Sequence, residues 1–284
     1  MKTSPLLLLY LLLSLSTVFA QTERQDQSEQ IKWFFPGSHL KKDYQFKFSQ
    51  KFEEVTLLTQ DSASLSALLF KSPSSKGVIL YLHGNTGGLD RWGKISNIYT
   101  TRLYDVFFLD YRGYGKSTGH IQSESQLFSD VQTAYNYLKT RYQEDEIVVL
   151  GYSLGAVPAA WLGAHNSPRA VILQSPCYSL PDAIHVLKPT KDTTSLSLQF
   201  NIYQYVRAAK APVYIFQGEK DRMFYYGSSL KLRKFFKPGD SLFTLPGSGH
   251  LGIESNPAYV AGMNYVLNPW SQRSLIDIPP RFHD

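Results

Sequence analysis

The pentapeptide Gly151-Tyr152-Ser153-Leu154-Gly155 constrains the fold of this chain more than any other stretch, because of what surrounds it. Residues 146–150 before it are β-branched and apolar, which reads as a buried strand; residues 156–164 after it are rich in Ala and Leu, which reads as a helix. Gly-x-Ser-x-Gly between a strand and a helix sets the serine on a sharp, strained turn with its hydroxyl presented beyond the strand end. A side chain at either glycine would collide with the neighbouring strand or helix. The same turn leaves the Leu154 N–H free at a helix N-terminus, where it can donate to developing negative charge. Ser153 is therefore the candidate nucleophile.

The rest of the chain supplies a frame for such a turn. Strands are expected at 52–58 and 65–70, separated by the turn signal Asp61-Ser62-Ala63-Ser64. From there the pattern alternates. Strands at 77–82, 105–110, 146–150, 170–174, 212–217 and 241–245 are interleaved with helices at 90–103, 124–142, 156–164, 226–236 and 257–267. Alternation of this kind implies an α/β fold, a mostly parallel doubly wound sheet covered on both faces, with the opening hairpin as an antiparallel edge. Residues 177–210 separate two strands by more than one ordinary connection, and read as a short lid insertion. The aromatic run at 31–36 must pack somewhere.

The ends and the composition bound the function. Lys2, the Leu-rich core at 6–13 and Val18-Phe19-Ala20 form the pattern of a secretory signal peptide over residues 1–20, leaving residues 21–284 as one domain. Residues 21–30 are a polar lead-in, and the tail at 269–284, with Pro279-Pro280, is expected to be irregular. The whole chain carries a formal charge of +6, and loss of Lys2 would leave +5. The basic run from Lys231 to Lys237 reads as the solvated side of a helix, so a nucleic-acid partner is not expected. Cys177 is the single cysteine, so no intrachain disulfide can form, and Asn-x-Ser/Thr acceptors are missing. A monomer exported by a bacterium, periplasmic or secreted and without a transmembrane segment after cleavage, fits these features.

A serine hydroxyl needs a base within hydrogen-bond reach. His250 lies in Gly247-Ser248-Gly249-His250-Leu251-Gly252, just past the last expected strand, and loops after parallel strands gather at one sheet edge. His83 belongs to another motif; His39, His120, His165, His185 and His283 lack this placement. The base in turn needs a carboxylate. Asp221, in Gly218-Glu219-Lys220-Asp221, follows a strand and gives the chain order Ser, Asp, His; Glu219 is the nearby competitor and Asp182 a weaker one. His83-Gly84-Asn85-Thr86-Gly87-Gly88 follows the first long buried strand, and the Asn85 N–H can supply a second oxyanion donor. Neither G-x-G-x-x-G nor the P-loop pattern is present, no metal-ligand spacing is found, and no cofactor is expected.

Taken together, these segments and the motifs Asp110-Tyr111-Arg112-Gly113-Tyr114-Gly115-Lys116-Ser117 and Ser175-Pro176-Cys177-Tyr178 resemble the serine hydrolases of the α/β-hydrolase superfamily, in particular single-domain ABHD-type depalmitoylases and bacterial esterases. The resemblance runs from about residue 50 to 267. It implies Ser153 as nucleophile, Asp221 as acid, His250 as base, Asn85 and Leu154 as oxyanion donors, and a structural role for the Asp110–Gly115 turn. Cys177 departs from the aromatic residue common in relatives, and is expected to be buried. The function implied is hydrolysis of carboxylic esters or thioesters of small to medium acyl substrates. A peptidase with the same triad and a non-catalytic binding module on the same fold are the alternatives.

Overall fold

Among the described residues, β2 (Phe52–Leu58), β3 (Ser64–Phe70), β4 (Val78–Leu82), β5 (Asp105–Leu109), β7 (Ile147–Tyr152), β8 (Ala170–Gln174), β9 (Val213–Gly218) and β10 (Ser241–Leu245) form one eight-stranded sheet, in the order β10-β9-β8-β7-β4-β5-β3-β2. Two short strands, β1 (Ser38–His39) and β6 (Tyr114–Gly115), pair apart from it. The computed structural model describes residues 29–190, 192–193 and 196–268. The expected signal peptide, most of the polar lead-in and the tail at 269–284 lie outside the described residues.

The central strands are buried because their sequences are apolar on both faces, whereas the edge strand β2 alternates between exposed and buried residues. Val78–Leu82, Asp105–Leu109 and Ile147–Tyr152 are buried at every position, the pattern of parallel strands covered on both sides. Strands β10, β9, β8, β7, β4 and β5 pair in parallel, whereas β2 and β3 form the antiparallel edge, β3 also running antiparallel to β5. Two apolar layers result. One holds Leu80, Val149, Leu173 and Ile215 against α3 (Glu124–Lys139) and α4 (Ala156–His165). The other holds Tyr81, Phe108, Leu150 and Phe216 against α8 (Pro257–Leu267) and the short helices α1 (Leu89–Trp92) and α2 (Ser96–Thr100).

The helix expected over 90–103 is broken into α1, a 3₁₀ turn at Gly93–Ile95 and α2. Gly93 sits at the break, and a Cβ there would stand 2.5 Å from the Phe48 ring, which packs onto its backbone. The long helix after β6 ends at Lys139, and the one after β9, α7 (Tyr226–Arg233), ends earlier than its apolar pattern suggested. Between β8 and β9 the insertion contains α5 (Leu180–Leu187) and α6 (Ile202–Ala208). Its apolar residues go largely to the core: Leu180, Leu198 and Phe200 are buried, whereas Val186 and Leu187 are exposed. The aromatic run at 31–36 docks on this segment, with Phe34 and Phe35 edge-on to Phe200 and Phe35 also against Tyr111.

Candidate active site

Strand β7 delivers Ser153 at the middle of the sheet. The residue has φ +53, a left-handed conformation that a non-glycine residue holds only when its surroundings force it. Those surroundings are the two glycines. A Cβ on Gly151 would meet the Gly155 carbonyl oxygen at 2.2 Å, and one on Gly155 would meet the Leu82 carbonyl oxygen at 2.0 Å. The turn therefore packs backbone to backbone against its own helix and against β4. A 3₁₀ turn, Ser153–Gly155, leads into α4, and Pro158 sits within the first turn of that helix, where a missing N–H is tolerated.

His250 and Asp221 arrive from loops after β10 and β9. His250 Nε2 lies 2.9 Å from Ser153 Oγ, and His250 Nδ1 lies 2.8 Å from Asp221 Oδ2. Asp221 is buried, and its carboxylate accepts at both oxygens: Oδ1 from the Met223 and Phe224 N–H groups, Oδ2 from Gln217 Nε2 and His250 Nδ1. Donation from Nδ1–H to Asp221 leaves the Nε2 lone pair facing the serine hydroxyl, the tautomer a general base requires. The His250 loop is held from two directions. The Tyr152 hydroxyl donates to the His250 carbonyl at 2.8 Å, and a Cβ on Gly218 would strike the Gly249 oxygen at 2.3 Å, so the β9 end and this loop touch backbone to backbone.

The competing carboxylates stand elsewhere. Glu219 accepts from the Gly247 N–H at the surface, and Asp182 pairs with Lys231 and accepts from the Tyr225 hydroxyl. Asn85 follows Gly84, whose own backbone abuts the elbow: a Cβ placed on Gly84 would lie 3.6 Å from Ser153 Cβ. Leu154 is the next residue after the nucleophile and buries its side chain in the core. The structure thus brings Ser153, Asp221 and His250 into one chain of contacts and sets the Asn85 and Leu154 backbones beside it. Cys177 is buried, and desolvation pushes its thiol up to about 12. Among the described residues no group of three or more His, Cys, Asp and Glu side chains is placed to hold a metal ion, and no helix is long and apolar enough to cross a membrane.

Sequence reasoning missed two supports of this constellation. Gln217 is fully buried; its amide donates to Asp221 and to the Phe224 carbonyl, and its oxygen accepts from Ser229. The signal was there, since a glutamine closing an otherwise apolar strand must find partners. Tyr152 carried no such signal, because its hydroxyl meets a carbonyl 98 residues further along the chain.

Residues 73–199 match a family model described as serine aminopeptidase, S33. Protein bem46 of Schizosaccharomyces pombe is 33% identical over 62% of this chain and 63% of its own, so this chain spans less than two thirds of that relative. Alpha/beta hydrolase domain-containing protein 17B of Xenopus tropicalis is 30% identical over 77% of this chain and 76% of its own. Among solved structures, the Pyrococcus furiosus esterase Pf2001 superposes with a TM-score of 0.66 at 19% identity, covering 78% of this chain and 92% of that one. That last likeness speaks to fold. With the sheet order, the strained serine and the relatives in agreement, the chain belongs to the α/β-hydrolase superfamily.

Proposed function

We propose that this protein is a serine hydrolase that cleaves carboxylic ester or thioester bonds of small to medium acyl substrates through an acyl-enzyme on Ser153. The observation that carries the reading is the continuous relay from Ser153 Oγ to His250 Nε2 at 2.9 Å and from His250 Nδ1 to Asp221 Oδ2 at 2.8 Å. His250 takes the hydroxyl proton as Ser153 attacks the carbonyl carbon. The oxyanion is met by the Asn85 and Leu154 N–H groups, each worth on the order of 3 kcal/mol in the transition state. His250 then protonates the leaving alcohol or thiol, and water, deprotonated by the same imidazole, releases the acid.

A peptidase using the same relay is the second reading, favoured by the description of the matching family model. The Leu-rich leader supports export, the single cysteine and the missing Asn-x-Ser/Thr acceptors favour a bacterial source, and the substrate reading needs no second copy of the chain. The two chemistries separate in one panel: p-nitrophenyl esters of graded chain length against peptide anilides, with wild type and Ser153→Ala. Ester turnover that peaks at short to medium chains and vanishes in Ser153→Ala is the expected result. Faster cleavage of anilides than of any ester would transfer the assignment to the peptidase. A folded wild type inert to both would leave a binding module.

A further inference from the structure

The loop that carries Asn85 is tied down in an unusual way. Four consecutive main-chain carbonyls each accept a hydrogen bond from a side chain. Tyr111 Oη donates to the His83 oxygen at 2.9 Å, His83 Nδ1 to the Gly84 oxygen at 2.6 Å, Tyr114 Oη to the Asn85 oxygen at 2.8 Å, and Trp92 Nε1 to the Thr86 oxygen at 3.0 Å. The peptide that carries the Gly84 oxygen also carries the Asn85 N–H, and in a trans peptide the two point in opposite directions. Fixing the carbonyl therefore fixes the donor. The same ring that pins the carbonyl, His83, is itself wedged against Tyr111 (4.5 Å between centroids) and Tyr114 (5.2 Å).

His83 can pin that oxygen only with a proton on Nδ1, which turns Nε2 toward Asp110. Both groups are fully buried, and Nε2 stands 3.3 Å from Asp110 Oδ1 with neither atom offered another hydrogen-bond partner. An imine nitrogen facing an ionised carboxylate oxygen would set lone pair against lone pair in a fully buried site. One proton must therefore be shared between them, either as carboxylic acid to imine or as imidazolium to carboxylate, and the pair is neutral overall in both forms. Burial pushes the Asp110 carboxyl upward. The carboxyl is enclosed by glycines: a Cβ on Gly115 would lie 1.8 Å from Oδ2, and the Leu89 N–H donates to that oxygen at 3.3 Å.

We propose that His83, Asp110, Tyr111 and Tyr114 form a clamp that orients the Asn85 N–H toward the oxyanion formed at Ser153. They are positioning residues, since none touches the reacting atoms. The assignment rests on the serine-hydrolase reading above and deepens it: the Asp110–Gly115 turn, structural in the fold, also sets catalytic geometry.

The test measures kcat and KM for a short p-nitrophenyl ester, inhibition by a trifluoromethyl ketone that forms a tetrahedral adduct, and melting temperature, in wild type, Tyr114→Phe, Asp110→Asn, Asp110→Ala and Ser153→Ala. Tyr114→Phe deletes one oxygen and should melt near wild type. It is expected to lower kcat about 10-fold and to weaken the ketone by a similar factor, with KM moving less than about 2-fold, because only the tetrahedral species uses the aimed donor. Asp110→Asn, which keeps a donor for Nε2 and an acceptor for Leu89, should retain more kcat than Asp110→Ala. Activity lost in Ser153→Ala yet unchanged in Tyr114→Phe and in Asp110→Ala would overturn the clamp alone. Activity retained in Ser153→Ala would overturn the hydrolase reading and the clamp with it.

Discussion

Asp221 has every acceptor position in use, and that fixes what its replacement should do. Asp221→Asn keeps the shape but turns one terminus into a donor facing His250 Nδ1–H or the Met223 and Phe224 amides, all of which donate themselves. The imidazole then loses its tautomer, and steady-state ester hydrolysis should fall about 10⁴-fold with little change in melting. Glu219→Gln, at the surface, is expected to be near wild type; the opposite ranking would reassign the acid. Cys177 gives a pH statement. Its thiol is raised by burial, so the folded protein holds the proton that the unfolded chain releases. This contribution to stability is full below about pH 8.5, the ordinary cysteine value, and is lost as pH rises toward about 12. Thiol labelling by a maleimide at neutral pH should accordingly be negligible until denaturant is added.

At the level of elements, the site is a set of backbone contacts that exclude a β-carbon. Gly155 against the Leu82 carbonyl seats the elbow on β4, and Gly218 against the Gly249 carbonyl seats the acid-bearing turn on the base-bearing loop. Gly218→Ala should push the His250 loop away from Ser153, cutting activity at least about 10²-fold while the remote core persists, as activity and thermal melting together would report. These glycines also explain what sequence could give. The elbow, the strands and the order Ser153, Asp221, His250 were legible because each is a local pattern of apolar residues and turn residues. The break at Gly93 was not, since Phe48, which packs onto that glycine, lies 45 residues away in sequence. Nor were α5 and α6 inside the insertion, where no local pattern told that Leu180, Leu198 and Phe200 would be core.

Across the whole molecule, one ionic knot joins parts that the sheet alone would leave independent. Arg112 donates to both oxygens of Asp130 on α3 and to both of Asp61 in the turn between β2 and β3. Arg112 and Asp130 are buried, whereas Asp61 is largely exposed. Arg112→Met should therefore act by stranding Asp130, at a cost of about 3–5 kcal/mol, read as a fall in melting temperature of roughly 10 °C. No local motif announces that triangle, because its corners are drawn from three separate elements. The same holds for Gln217 and Tyr152: Ser153, Asp221 and His250 were visible in the chain as candidates, the side chains that support them only in the fold. The central claim, that Ser153 carries the acyl group, is tested most directly by rapid acid quench of the enzyme with a p-nitrophenyl ester followed by mass spectrometry of its peptides. The expected result is the acyl mass on the peptide containing Ser153, enriched early in turnover and missing in Ser153→Ala. Turnover of the ester with the acyl mass on another residue, or with Ser153→Ala equally active, would contradict the account.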